Sequence, residues 1–233
     1  MNGFDYRSAL TRYAVAWLYL AGFVIAEAAY AALSPHDRSV LIAWASTNVV
    51  NLRHNPVGTL VVSAFFSTSV ATAWPIAIAF ALFGANRVLG NWRTALLCAA
   101  GQVLGTLVSE GIVDYRVTHH LLPSTAARIV DIGPSYVVVS ALAVPALYGS
   151  RAFRLMAVAD LAALIFVSRI FSGLSHLDVA PVGHATALAV SLVLGTLLVR
   201  HRRAAAPHPD DNVVPALLPE RQRRDDVAVD PRG

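Results

Sequence analysis

The feature that most constrains this chain is a series of long apolar stretches, separated by shorter segments that carry arginine. A helix needs roughly 20 apolar residues to cross the ~30 Å hydrocarbon core of a bilayer. With 56% hydrophobic and 14% charged residues among 233, the chain is too apolar for a soluble domain of this size. The sequence therefore predicts an all-α membrane protein with six spans, at about residues 13–33, 68–84, 94–112, 132–148, 153–172 and 182–199.

The basic residues, all of them arginine, indicate how these spans are oriented. If successive spans alternate in direction, the side of the N-terminus holds nine arginines and the other side holds five. The nine are Arg7, Arg12, Arg87, Arg93, Arg151, Arg154, Arg200, Arg202 and Arg203, and the five are Arg38, Arg53, Arg116, Arg128 and Arg169. An excess of arginine marks the cytoplasmic side. We therefore expect both termini to be cytoplasmic, with the spans in the plasma membrane. Because topology accounts for the basic charge, no nucleic-acid partner is predicted. The first stretch could alternatively be a secretory signal, although its length favours a span.

Composition divides the chain into three predicted regions. These are a cytoplasmic N-terminus at residues 1–12, a six-helix membrane domain at residues 13–200, and a disordered cytoplasmic tail at residues 201–233, rich in Pro, Ala, Arg and Asp. The long connection at about residues 34–67 is half apolar and is predicted to lie in the membrane interface. The single cysteine, Cys98, excludes an intrachain disulfide and a two-cysteine metal site. No metal or cofactor is predicted.

Ionisable side chains within spans are costly and therefore mark candidate functional positions. Of the eight histidines only His184 enters an apolar stretch. Glu27 and Asp160 are the clearest embedded acids, and Glu110 lies near the outer end of the third span. Ser135 begins the fourth span and His184 the sixth. Since these two spans run in the same direction, both residues are predicted to lie roughly 5 Å below the outer surface.

The sixth span also carries a stripe of small residues at every fourth position, namely Gly183, Ala187, Ser191 and Gly195. Such a stripe lets a neighbouring helix approach closely, and His184 lies beside it. A serine hydroxyl becomes a good nucleophile when a neutral imidazole within ~3 Å accepts its proton. We therefore predict that Ser135 and His184 form a nucleophile–base pair. The structural alternatives are a Ser135 hydroxyl bonded within its own helix and an Asp131 that acts as the N-cap of that helix.

These residues resemble the rhomboid intramembrane serine proteases, six-helix proteins that cut other membrane proteins within or beside their spans. Rhomboids place the nucleophile in a Gly-x-Ser-Gly turn that opens the fourth helix, with a small residue five positions on. Here Gly133-Pro134-Ser135-Tyr136 is followed by Ser140. The family's sixth helix has a histidine with small residues at fixed offsets, which correspond to His184, Thr186, Ala187, Ser191 and Gly195. The segment "FGANRVLGNWR" resembles the turn that closes the family's second helix, and the likeness covers about residues 10–200.

The resemblance implies an intramembrane serine endopeptidase that needs no cofactor and cleaves transmembrane proteins near the outer face. Ser135 and His184 would be the dyad, and Gly133 and the Ser135 amide would shape the oxyanion site. The first alternative is a catalytically inactive rhomboid-fold pseudoprotease that binds membrane helices. The second is a small membrane transporter in which Glu27 and Asp160 carry protons.

The chain also departs from the rhomboid pattern. Rhomboids usually carry a His-x-x-x-Asn pair on the second helix, whose side chains help hold the oxyanion, and the corresponding positions here are Thr72 and Ile76. Tyr136 replaces the glycine that follows the nucleophile. An active enzyme would therefore need substitute donors, such as Thr72, Ser69 or the free amides at the start of the fourth helix.

Overall fold

The structure is a computed structural model that describes residues 6–67 and 73–205. Within these two ranges the regular structure is entirely helical, with no strand, which confirms the all-α fold class. Ser69 and Thr72, the candidate oxyanion donors, lie outside the described residues. Part of the predicted N-terminal segment and nearly all of the predicted tail also lie outside them.

The described residues form eleven α-helices. They are α1 Tyr6–Arg12, α2 Ala14–Ala32, α3 Pro35–Ala45, α4 Val49–His54, α5 Pro56–Val62, α6 Trp74–Leu89, α7 Asn91–Thr118, α8 Ser135–Tyr148, α9 Arg151–Phe166, α10 Val179–Val190 and α11 Thr196–Ala204. A π-helical turn, Ser191–Gly195, joins α10 to α11. The turn between α6 and α7 is made by Gly90, whose φ of 81° favours a residue without a side chain.

Within residues 6–67 and 73–205, three helical segments are long and apolar enough to cross a membrane: Ala14–Ala32, Asn91–Thr118 and Val179–Ala204, the last running from α10 through α11. The helices α6 and α8 are apolar but shorter, with 16 and 14 residues, which correspond to about 24 and 21 Å of helix. Helix α9 ends at Phe166, although the hydropathy predicts a span to residue 172. The chain turns there, and Arg169 adopts a positive φ of 53°. The count of six spans stays a prediction.

The connection after α2 is built from short helices, α3 to α5, with capped starts. The Ser34 Oγ accepts a hydrogen bond from the Asp37 amide at 3.1 Å, and the Asn48 and Asn55 side chains cap α4 and α5 in the same way. Its far end is held by Glu27, whose Oε1 accepts a hydrogen bond from the Ser67 amide at 2.6 Å. This embedded acid therefore has a structural partner.

Helix α8 forms the centre of the bundle. Its residues from Tyr136 to Pro145 are all buried, and it packs against α6, α7, α9 and α10. Glycines on the neighbouring helices allow close contact with α8. A Cβ atom added at Gly101 on α7 would lie 1.7 Å from Ser140 Oγ, and one at Gly84 on α6 would lie 2.9 Å from Pro145 Cβ. Close backbone approach between apolar helices is thus what holds the bundle together.

The small-residue stripe of α10 and the π-helical turn faces α8. Gly183 lies against the Tyr136 ring and Gly195 against Val144. The Ser140 Oγ donates to the Tyr136 carbonyl of its own helix at 2.8 Å and lies 3.4 Å from the Ala187 carbonyl oxygen, and Ser191 Oγ donates to the Ser140 carbonyl. These contacts bring the helix that carries His184 directly against the helix that begins with Ser135.

One end of the bundle is rich in arginine, as the topology prediction requires of a cytoplasmic side. The Asn86 side chain donates to the Arg12 carbonyl at 2.7 Å, and Arg202 donates to the Val88 carbonyl. The start of α2, the α6–α7 turn and the end of α11 therefore lie at one end, which we call the basic end. Its orientation in a membrane stays a prediction.

Candidate active site

Ser135 is the first residue of α8 and is half-buried. Pro134 occupies the N-cap position, and the Gly133 amide donates to the Ser63 carbonyl at 3.0 Å, which ties this turn to the connection before α6. Gly133 has a φ of 154°, a conformation that favours glycine. Because the first amides of a helix lack intrahelical partners, the amides that open α8 can act as hydrogen-bond donors next to Ser135.

His184 lies in the second turn of α10 and is 5% exposed. Its Nδ1 is 2.9 Å from the Ile170 carbonyl oxygen. A carbonyl oxygen can only accept, so Nδ1 carries the proton and Nε2 keeps a free lone pair. That Nε2 is buried, and no group within the described ranges forms a hydrogen bond with it. The ring is therefore held in the tautomer that a general base requires.

Tyr136 connects the start of α8 to the histidine. Its ring meets the His184 ring edge-on, with centroids 5.1 Å apart and an interplanar angle of 79°. No hydrogen bond joins the Ser135 Oγ to His184 in the part of the chain that the structure describes. The serine and the histidine thus lie on two helices that pack together, but their side chains do not form a closed pair.

Asp131 is not the N-cap of α8, so that structural interpretation is wrong. Its carboxylate instead accepts hydrogen bonds from Tyr136 Oη at 2.9 Å and from Thr47 Oγ1 at 3.2 Å. Burial raises the pKa of the Asp131 carboxyl above its ordinary value, while these two hydroxyls act in the opposite direction. Asp131 therefore fixes the position of the tyrosine that contacts His184.

A buried polar stripe on α7 was missed by reasoning from the sequence, which singled out Glu110 alone. Gln102, Thr106 and Glu110 recur every fourth residue, and all three are buried with unpaired oxygen atoms. Glu110 is 2% exposed and neither carboxylate oxygen has a hydrogen-bond partner, although the Val49 amide faces it. The four-residue spacing of polar side chains within an apolar stretch was the signal that could have located this stripe.

An apolar groove of about 570 Å³ runs between α6 and α9. Ile76, which is 59% exposed, lines one wall, and Met156 lines the other. Asp160 also lines the groove, and its Oδ2 is buried without a partner. The lining continues to Ser168, two residues before the carbonyl that holds His184. An exposed apolar surface between two helices is suited to contact with lipid or with another membrane helix.

Ile76, which the resemblance aligns with a usually polar position of the rhomboid second helix, lines this groove. Ser69 and Thr72, the proposed replacements, lie outside the described residues. The donors that the described residues offer near Ser135 are thus the backbone amides that open α8.

Comparison with known proteins identifies the family. A family model described as "Rhomboid-like protein" matches residues 8–205, which include α8, α10 and the turn between α6 and α7. No curated protein and no solved structure matches the chain. Since the match covers most of the sequence and contains both motifs around Ser135 and His184, the chain belongs to the rhomboid-like protein family.

Proposed function

We propose that this protein is a rhomboid-like intramembrane serine endopeptidase, with Ser135 as nucleophile and His184 as general base. The observation that carries the proposal is the 2.9 Å contact between His184 Nδ1 and the Ile170 carbonyl oxygen, from which the tautomer of the neutral ring follows. Its Nδ1 proton is committed to the Ile170 carbonyl, and its unpaired Nε2 is buried on the helix that packs against α8. A buried nitrogen lone pair lowers stability unless a hydrogen-bond donor reaches it. The hydroxyl of Ser135 is chemically suited to donate to His184 Nε2.

The reaction would proceed in two steps. The Ser135 oxygen attacks the scissile carbonyl carbon while Nε2 takes the hydroxyl proton, and the resulting imidazolium protonates the leaving amine. Water then attacks the acyl-enzyme with His184 again as base, which releases the new carboxyl terminus and restores the serine. The negative oxygen of each tetrahedral intermediate would be held by the amides that open α8, with Gly133 leaving room for it.

The groove between α6 and α9 supports access for a substrate from the bilayer. A transmembrane segment that unwinds near the surface could approach along this apolar lining, which ends close to the residue that holds His184. In the proposed topology, six spans place the site near the outer face of a bacterial inner membrane, with both termini in the cytoplasm. The substrates are other membrane proteins.

The test is covalent labelling with a fluorophosphonate probe, which reacts with activated serines. Ser135→Ala and His184→Ala should each abolish labelling. Ser39→Ala and His119→Ala change the same residue types at exposed positions outside the site and should label like the unmodified protein. Undiminished labelling of either site variant would refute the dyad.

A second function, a pseudoprotease that binds membrane helices without cutting them, is favoured by two observations. Ser135 and His184 are not hydrogen-bonded to each other, and the polar residue usual at the position of Ile76 is absent. Losing an oxyanion donor typically lowers a rate by about 10²–10³. Binding of a membrane helix would need only the groove.

The two functions differ in what Ser135→Ala should do. A photo-crosslinking side chain at Ile76 should capture a membrane partner with or without the serine if the protein only binds. Val24, on the exposed face of α2, is the matched control position. Loss of capture on removing the single hydroxyl would contradict the binding function. The transporter alternative is weakened because Glu27 is bonded to the Ser67 amide.

A further inference from the structure

The basic end contains a pocket of about 370 Å³ that the proposed chemistry does not use. It lies between the end of α6, the turn from α8 to α9, and α11. Arg87, Arg202 and Arg203 line it, and Val88, Phe153 and Val199 form apolar parts of its wall. An opening with guanidinium groups above an apolar wall has the character of a binding site for an amphipathic anion.

The three arginines are held by neutral groups. Arg202 Nη1 donates to the Arg87 carbonyl at 3.2 Å and to the Val88 carbonyl, both in the last turn of α6, where a cation is favoured. The Arg203 guanidinium carbon lies 5.8 Å from the Tyr148 ring centre, and that of Arg87 lies 5.8 Å from the Phe153 ring centre. None of these contacts neutralises a charge, and each guanidinium retains further donors.

Among the described residues that line this pocket, none is acidic. The ion pair that the described ranges contain, Arg53 with Asp114, is far from this pocket. Asp114 lies near the end of α7, about 35 Å along the helix from Asn91, which begins α7 at the basic end. Ser150 and Phe153, at the start of α9, also line the pocket. The Ser150 side chain does not cap α9, and the first turn of that helix has no acid. The partial positive charge of the helix start therefore adds to that of the arginines.

We propose that this pocket binds a phosphate group that carries net negative charge. Guanidinium groups bind phosphate oxygens through paired N–H donors, and basic pockets between membrane helices suit anionic headgroups. The apolar wall would contact the glycerol and the first acyl carbons of a lipid. The phosphate could belong to an anionic phospholipid or to a free phosphate compound, and the test distinguishes these sources. The site is independent of Ser135 and His184.

The experiment uses the full chain, purified in detergent and stripped of lipid. Short-chain phosphatidylglycerol, short-chain phosphatidylcholine and inorganic phosphate are titrated separately, and bound ligand is counted by native mass spectrometry. We expect phosphatidylglycerol to bind more tightly than phosphatidylcholine. Binding of phosphatidylglycerol alone identifies a lipid headgroup, whereas equal binding of inorganic phosphate identifies a free phosphate. Equal binding of the two lipids, with none of inorganic phosphate, would overturn the proposal.

The matched variants test the pocket rather than the charge of the surface. Arg203→Gln should weaken phosphatidylglycerol binding about five-fold, since one arginine near a membrane surface contributes about that factor. Arg203→Lys keeps the charge but loses the paired donors, so its loss should be smaller. Arg200→Gln removes the same charge from the same helix at an exposed position outside the pocket and should leave binding unchanged. If Arg200→Gln weakens binding as much as Arg203→Gln, the pocket is not the site.

Discussion

Substituting Gly183 by alanine should disturb the site through Tyr136. An ideal Cβ at this position would lie 2.2 Å from both Cζ and Oη of Tyr136, about 1.3 Å inside the shortest ordinary carbon–carbon separation of about 3.5 Å. The ring has little freedom to retreat, because its hydroxyl donates to Asp131 and its edge contacts His184. The variant must therefore move α10 away from α8 or displace the tyrosine.

The energetic cost of the substitution follows from these contacts. Inserting a methyl group into a packed core costs about 1–3 kcal/mol. If the Tyr136 hydroxyl loses Asp131, the buried unpaired groups cost about 1–3 kcal/mol more. Alanine is better than glycine within a helix by about 1 kcal/mol, which offsets part of the loss. We expect Gly183→Ala to lower the free energy of unfolding by about 0–2 kcal/mol if Tyr136 keeps its hydrogen bond to Asp131, and by about 1–5 kcal/mol if that bond is lost.

Gly111 provides the matched control. It also lies within a helix, α7, but an added Cβ there meets nothing within 4 Å. Gly111→Ala should therefore leave stability unchanged or raise it by up to about 1 kcal/mol. The assay is equilibrium unfolding in detergent, followed by helical circular dichroism. A second cycle in the Tyr136→Ala background removes the clash, and the cost of Gly183→Ala should then largely disappear. If Gly183→Ala is as well tolerated as Gly111→Ala, the inferred packing is incorrect.

Three further predictions concern the acids Asp131, Glu110 and Glu27, each measured as a change in unfolding temperature. Burial raises the pKa of Asp131 in the folded state, so the folded state binds this proton more tightly than the unfolded state does. The stability of the unmodified protein relative to Asp131→Asn should therefore be highest at and below about pH 4 and should fall as pH rises through the raised pKa. A stability difference that does not change with pH would contradict this prediction. Glu110→Gln should leave the stability of the fold unchanged or raise it, because neither carboxylate oxygen of Glu110 has a hydrogen-bond partner among the described residues. A large loss of stability in this variant would contradict the prediction. Glu27→Ala should lower the free energy of unfolding by about 1–3 kcal/mol, because the Ser67 amide loses this acceptor. Glu27→Gln keeps an acceptor and should lower it less. Equal losses of stability in the two variants would exclude the hydrogen bond as the cause.

Much of the architecture could be predicted because hydropathy is a local property of the sequence. The apolar stretches predicted α2, α7 and the α10–α11 segment, with boundaries that differ by a few residues. The predicted end of the fifth span, at residue 172, was wrong because α9 already ends at Phe166. A turn with a positive φ at Arg169 follows, and hydropathy does not register such a turn. The segment predicted as an interfacial loop forms three short helices, since Ser34, Asn48 and Asn55 provide N-caps that hydropathy does not register.

The motifs predicted which residues belong to the candidate site, but not their hydrogen bonds or tautomers. The order of Gly133, Ser135 and His184 along the chain was enough to indicate the family. It could not predict that the Ile170 carbonyl fixes the His184 tautomer or that Asp131 binds Tyr136 instead of capping α8. These are contacts between side chains and loops, whose directions depend on how the helices pack.

The sequence by itself determined that the chain is a helical membrane protein of the rhomboid-like family, because apolar length and motif spacing are read along one dimension. Only the tertiary structure decided what the polar groups do: Glu27 holds a connection, Glu110 is buried without a partner, and three arginines from α6 and α11 share one pocket. The physical reason is that hydrogen bonds and charge interactions act over a few ångströms in space, between residues that packing brings together from distant positions in the chain.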